Sequence, residues 1–349
     1  MRKLFRLIKF VVKWLVVIVV SVEVLSFLAI TVSNYILYGH AREGSRAVYD
    51  AYTLFLQNTG VRPTVFNEKS PDARRNKTVW MFGGSTMRGT TDHDDRTVAS
   101  FLAKDLNSAQ NKYRVTVVNF GTNSFNSLLE TKYLQKQLVE NPDAPDIVIF
   151  YDGANDAKYF AEHRTPYGHH GYRRVRSLIE SYYGSWFGLL KPVTAAVYAS
   201  FTKELWDKIN QVYLPVDENS PLLTQMVDLT EKRYDFVNRT AKCFDAQFLL
   251  IWQPIIWVED CTVPEALKAK EKGIVIDSER FATVRKNFAT PYNALSERLK
   301  EKPYFVSFKN ALCGRTEAAY QHDGVHLTDE GRNMVARRIS ALLMDRFLK

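Results

Sequence analysis

Apolar positions follow three regimes along this chain. From Trp14 to Val32 they are nearly continuous, with Glu23 the one charge among them. From Thr78 onward, short apolar runs alternate with longer amphipathic ones. Between Ala157 and about Pro221 that alternation breaks.

A helix needs about 20 apolar residues to span a bilayer, and the first regime supplies them. It follows a basic flank, residues 1–13, and no small-residue cleavage site comes after it, only Ser33-Asn-Tyr-Ile-Leu-Tyr38. Basic flanks stay in the cytoplasm. The pattern therefore predicts an uncleaved signal anchor over 14–34 in a bacterial cytoplasmic (inner) membrane, with the body of the chain periplasmic or extracellular. A carboxylate at mid-bilayer costs roughly 2.5–3.5 kcal/mol. Glu23 then implies a membrane partner or a homo-oligomer, or else is tolerated in a very apolar helix.

Residues 41–58 carry Val48, Tyr52, Phe55 and Leu56 at spacings that predict an amphipathic helix. A polar stretch with Pro63 and Pro71 follows, so 35–75 is expected to be this helix and a connector. Strands are expected at 78–82, 114–119, 146–151, 247–252 and 304–308. Helices are expected at 95–107, 127–140, 226–244, 279–300 and 328–347. Strands alternating with helices predict an α/β fold with a parallel sheet covered on both faces. The near-continuous apolar run Asp146-Ile-Val-Ile-Phe-Tyr151 suits its centre. The segment 157–221 is too long for a βα connection and is expected to be a helical insertion. Its aromatic run Tyr182-Tyr-Gly-Ser-Trp-Phe187 and the cluster Arg173, Arg174 and Arg176 leave two readings: a lid or substrate wall, or an aromatic subcore or membrane-facing surface.

Composition adds little: 349 residues, 46% hydrophobic and 24% charged, is ordinary for a globular chain. The net charge of +9 is uneven, because Arg2, Lys3, Arg6, Lys9 and Lys13 all lie in the N-terminal flank. The basicity thus reads as a targeting signal, with no nucleic-acid partner. Three cysteines are too few for a disulfide scaffold. Cys261 and Cys313 fall in expected loops and are the expected pair, whereas Cys243 falls in a helix and is expected to be buried.

Four short blocks stand at the ends of expected strands or beside the last helix. They are Gly83-Gly84-Ser85, Asn119-Phe-Gly121-Thr-Asn-Ser-Phe-Asn126, Gly153-Ala-Asn155-Asp156 and Asp323-Gly-Val-His326. A serine hydroxyl is a poor nucleophile until a base takes its proton, and an imidazole suits that task near neutral pH. His326 is the expected base, with Asp323 three residues earlier to fix its tautomer. Attack on an ester creates an oxyanion, which the backbone N–H groups of Ser85 and Gly121 and the side-chain amide of Asn155 can receive. Gly84 and Asp156 are expected to support them. The plainer alternatives are a turn for Asp323-Gly and a helix cap for Asn155-Asp156. His163, His169 and His170 read as surface or substrate-facing residues; no metal and no cofactor is expected.

The set Ser85, Gly121, Asn155 and His326 resembles the four signature residues of the SGNH hydrolase superfamily, the GDSL esterases and lipases. The resemblance covers about residues 76–349, with Gly-x-Asn-Asp and Asp-x-x-His both intact. It implies a flavodoxin-like three-layer α/β/α sandwich with a five-stranded parallel sheet in the order 2-1-3-4-5. It also implies a Ser-His-Asp site completed by Asp323 and His326. The first block reads Gly-Gly-Ser-Thr where the family often has Gly-Asp-Ser-Leu, and so looks more like membrane-anchored envelope members.

The resulting expectation is a membrane-anchored serine esterase. It would remove short acyl groups, acetyl foremost, from envelope or exported carbohydrate through an acyl-Ser85 intermediate. Its partners would be the acylated carbohydrate and the membrane. Two alternatives remain: an O-acyltransferase on the same triad, and a non-catalytic polysaccharide assembly or binding subunit.

Overall fold

The computed structural model describes residues 2–38, 47–108, 111–184, 191–211, 214–271 and 282–348. They form two compact units, one of Met1–Gly44 with Gly171–Leu214, the other of Ser45–His170 with Pro215–Lys349.

The larger unit is built on five parallel strands: β3 (Asn76–Gly83), β4 (Arg114–Asn119), β5 (Ile147–Asp152), β6 (Gln247–Trp252) and β7 (Phe305–Ser307). Their spatial order is β4-β3-β5-β6-β7, which is the expected 2-1-3-4-5. Side chains alternate across a strand, so each strand feeds two cores. Val79 and Met81 of β3 face one side with Val98, Leu102 and Leu106 of α3 (Val98–Ser108) and Val335, Ile339 and Leu343 of α12 (Asp329–Arg346). Trp80 and Phe82 face the other, which is covered by α4 (Ser127–Glu140), α5 (Ala154–His163), α9 (Pro221–Cys243) and α11 (Ala282–Leu299). β5 is buried at every position, as a strand covered on both faces must be. Helix α9 begins earlier than its apolar pattern, because the Ser220 hydroxyl accepts the Leu222 N–H and Pro221 occupies the first turn.

The amphipathic helix expected over 41–58 is not there. Residues 41–46 lie outside the described residues, and 47–57 form an antiparallel hairpin of β1 (Ala47–Asp50) and β2 (Leu54–Gln57). The Asp50 carboxylate accepts the N–H groups of Tyr52 and Thr53 at 3.0 and 2.9 Å, closing a turn where a helix would have continued. Leu54 has φ 71°, outside the helical range. Phe55 and Leu56 pack on the core, while Val48 and Tyr52 are exposed.

The smaller unit joins α1 (Arg2–Tyr38) to α6 (Tyr172–Gly184), α7 (Lys191–Tyr198) and α8 (Phe201–Gln211). Residues Arg2–Ser33 of α1 are long and apolar enough to cross a membrane. The helix extends back through the basic flank rather than starting at Trp14. Within the expected insertion, α5 and its following loop belong to the larger unit, and only Gly171–Leu214 groups with α1.

Candidate active site

Strand β3 ends at Gly83, and Ser85 opens the four-residue helix α2 (Ser85–Arg88) with Gly84 as its N-cap. The hydroxyl thus stands at the carboxyl end of a central strand, where open α/β sheets bind ligands. A Cβ on Gly84 would collide with the Asn155 side-chain amide, so glycine here lets block three approach Ser85 closely.

His326 reaches the same spot from a tight turn. Tyr320 and Leu327 pair as an isolated bridge, the Gln321 N–H donates to the His326 carbonyl at 2.8 Å, and Gly324 takes φ 71°. Ser85 Oγ lies 2.7 Å from His326 Nε2. On the other edge of the ring, Nδ1 is hydrogen-bonded to Asp323 Oδ2. The second oxygen, Oδ1, accepts the N–H groups of Val325 and His326 at 3.0 and 2.9 Å. Burial pushes the Asp323 carboxyl up, but the His326 hydrogen bond and charge and the two amides outweigh it and hold it at about 2. The aspartate is therefore a fixed anion beside the ring. His322, the neighbouring histidine, is exposed on the same turn.

The oxyanion side differs from expectation at Gly121. Its N–H donates to Asn119 Oδ1 at 2.9 Å in a buried pair, so it is not free to receive an oxyanion. Gly121 has a packing reason to be glycine: a Cβ would lie 2.8 Å from Arg88 Cα. Three residues on, Ser124 is left-handed with φ 65°, and its N–H has no hydrogen-bond partner among the described residues. The next carbonyl, that of Phe125, accepts Asn155 Nδ2 and lies 3.1 Å from where a Gly84 Cβ would be. Ser124 thus flanks the point where Gly84 and Asn155 meet. Nothing in the sequence marks it, because a non-glycine residue held at positive φ has no signature of its own.

The family model for GDSL-like lipases and acylhydrolases matches residues 78–339. The chain belongs to this hydrolase family. No curated protein matches it. Among solved structures, the hydrolase aligns with an acetyl xylan esterase at 14% identity, over 76% of this chain and 99% of that one, with a TM-score of 0.44. A psychrotrophic esterase from Pseudoalteromonas sp. aligns at 11% identity over 77% and 97%, TM-score 0.39. A lipase/acylhydrolase from Enterococcus faecalis aligns at 13% identity over 77% and 96%, TM-score 0.42.

Two networks support the hydrolase's site. Asp156 accepts the N–H and hydroxyl of Ser127 at 3.1 and 2.5 Å, so it caps the start of α4 rather than its own helix. Behind it lie Glu130 and Asp152, both buried, with Arg233 3.9 Å from Asp156. Burial first, then the charge of Asp156, push Asp152 up to about 7, against hydrogen bonds from Glu130 and Tyr234 and the charge of Arg233.

The second network holds the histidine turn. Arg315, itself buried, pairs with Glu259 at 2.6 Å and with Glu271 at 2.7 Å, and Glu271, the last residue of α10 (Glu265–Glu271), also accepts the Ala319 N–H at 2.7 Å. The Cys261–Cys313 disulfide, with Cα atoms 5.4 Å apart, fastens the same strip of chain. Cys243, the last residue of α9, is exposed rather than buried, because the end of α9 turns its side chain away from the core.

Proposed function

We propose that the hydrolase is a membrane-anchored serine esterase that removes short acyl groups, acetyl foremost, from envelope or exported carbohydrate. The observation that carries the catalytic reading is the unbroken hydrogen-bonded line from Ser85 Oγ through His326 to Asp323. In this reading Nε2 of His326 takes the Ser85 proton as Oγ attacks the acyl carbonyl carbon. The ester C=O pair moves onto oxygen, and the Ser85 N–H, the Ser124 N–H and Asn155 Nδ2 receive the anion. Collapse expels the sugar oxygen, which takes the proton from His326 and leaves acyl-Ser85. Water, deprotonated by the same imidazole, then releases the carboxylic acid and restores the hydroxyl. Asp323 keeps the ring in the tautomer that accepts at Nε2.

The anchor reading rests on the apolar span Arg2–Ser33, whose basic residues all lie near its start. It keeps the site near the envelope face where exported glycans pass. Full-length protein in detergent should hydrolyse an activated acetyl ester and label with a serine-reactive phosphonate. Failure of folded protein to label at Ser85 would reject the nucleophile. Labelling without hydrolysis, together with acetyl transfer to an added glycan, would favour a transferase.

A further inference from the structure

The charge inside the apolar span has a partner in its own chain. The Glu23 carboxylate accepts the backbone N–H groups of Phe201 and Thr202, the latter at 3.1 Å, and the Thr202 hydroxyl at 2.7 Å. These are the opening amides of α8, an 11-residue helix. A carboxylate there satisfies N–H groups that a helix leaves without internal partners and complements its dipole. The contact continues along α1, with Ser26 Oγ 3.3 Å from Thr202 Oγ1 and the rings of Phe27 and Phe201 5.0 Å apart.

Groups in hydrogen-bond contact share one environment. If Glu23 lies in the span, the start of α8 lies at the same depth. The rest of Gly171–Leu214 has the composition for that place. Val193 and Val197 of α7 are each 59% exposed, and Trp206 and Ile209 of α8 are 65% and 60% exposed. Such side chains gain free energy when hydrocarbon replaces the water around them. The segment carries six Lys or Arg against three Asp or Glu, with Arg173, Arg174 and Arg176 in the first turns of α6. Basic helices with Trp and aliphatic faces lie in the boundary between headgroups and acyl chains.

We infer that α6, α7 and α8 form a bilayer-embedded element, docked on α1 through the Glu23 cap of α8. Its apolar helix faces contact acyl chains of the outer leaflet, and the arginines of α6 meet lipid phosphates. This rests on the anchor reading above, and it gives the span an internal partner where a second subunit was an alternative.

The test uses full-length protein with Cys243→Ser and one further substitution: Val16→Cys, Val197→Cys, Ile209→Cys, or, as a control at an exposed position of the larger unit, Glu301→Cys. Each is labelled with an environment-sensitive fluorophore and placed in nanodiscs of phosphatidylglycerol and phosphatidylcholine, with and without a doxyl-labelled lipid. Quenching at positions 16, 197 and 209 but not at 301 is the expected result. Quenching at 16 alone overturns the inference and leaves the anchor intact; no quenching at 16 overturns both. Unlabelled Val197→Cys should react with a membrane-impermeant maleimide about tenfold more slowly than Glu301→Cys. Glu23→Leu should remove most of that difference, and Glu23→Gln, which keeps an acceptor oxygen, should retain it. Equal rates for Val197→Cys with Glu23, Leu or Gln at position 23 would reject the cap as the docking contact.

Discussion

Ser85 and His326 are 241 positions apart in the chain, yet Oγ and Nε2 stand 2.7 Å apart. The sheet makes this possible: Ser85 follows β3, and His326 sits in a turn whose Gly324 carbonyl accepts the Ile256 N–H just beyond β6. Ser85→Ala and His326→Ala should each lower kcat for acetyl-ester hydrolysis by about 10⁴–10⁶, and the double variant by hardly more, since they act as one unit. Single losses that multiply in the double variant would reject the assignment.

Asn155→Ala should cost about 10²–10³ in kcat, as expected for one oxyanion donor, with KM little changed. Gly121→Ala should act through folding instead, because its Cβ has no room against α2. Its melting temperature should drop, and that of Asn155→Ala should fall less. A Gly121→Ala protein of unchanged melting temperature and lost activity would return Gly121 to the oxyanion site.

Two carboxyls should contribute to the pH dependence of stability with opposite signs. Asp323 sits at about 2, below its ordinary range. Its contribution is present above about pH 4 and is lost as the pH falls through 2. Asp152 sits at about 7, so the folded state keeps a proton that the unfolded chain releases near pH 4. That contribution is full below about pH 4 and is lost as the pH rises through 7. Between these limits Asp152, with Glu130 and Asp156, which burial also raises, contributes a fall in melting temperature with rising pH, while His170, held down to about 4 by burial, contributes a rise. Asp152→Asn should flatten the slope, which thermal melts of the full chain in detergent would show.

Arg315→Met strands the buried carboxylates of Glu259 and Glu271 and should cost about 3–5 kcal/mol, read by denaturant unfolding. Replacing all three by apolar residues of like volume should recover most of the loss. If Arg315→Met unfolds at the wild-type denaturant concentration, the triad does not hold the turn.

Reducing the Cys261–Cys313 bond, or Cys313→Ser, opens a closure spanning 52 positions. The expected loss is about 2–4 kcal/mol. Activity at low temperature should survive, since neither sulfur touches Ser85 or His326. Immediate inactivation on reduction would mean that the histidine turn depends on the bond for its geometry.

Much of this was legible because the signals were local. Strands β3, β4 and β5 are apolar runs that end in short polar blocks, which hold Ser85, Gly121 and Asn155, and Asp323 and His326 stand together in a fourth block just before the last helix. The hairpin at 47–57 was not legible: Val48, Tyr52, Phe55 and Leu56 fit a helical face, and an Asp50 side chain closing a turn on Thr53 leaves no trace in that spacing. Gly121 misled because glycine can mean an exposed N–H or simply a lack of room. Arg315 could not be paired with Glu259 or Glu271 from sequence, being 56 and 44 positions away with no periodic pattern joining them.

The cap on α8 also orders events during synthesis. Glu23 leaves the ribosome 178 residues ahead of Phe201, whose amide it finally holds. Until that amide exists, the carboxylate must find its hydrogen bonds elsewhere, and on the anchor reading that means water or the insertion apparatus. Helix α1 is thus made well before the amides that complete its hydrogen bonds.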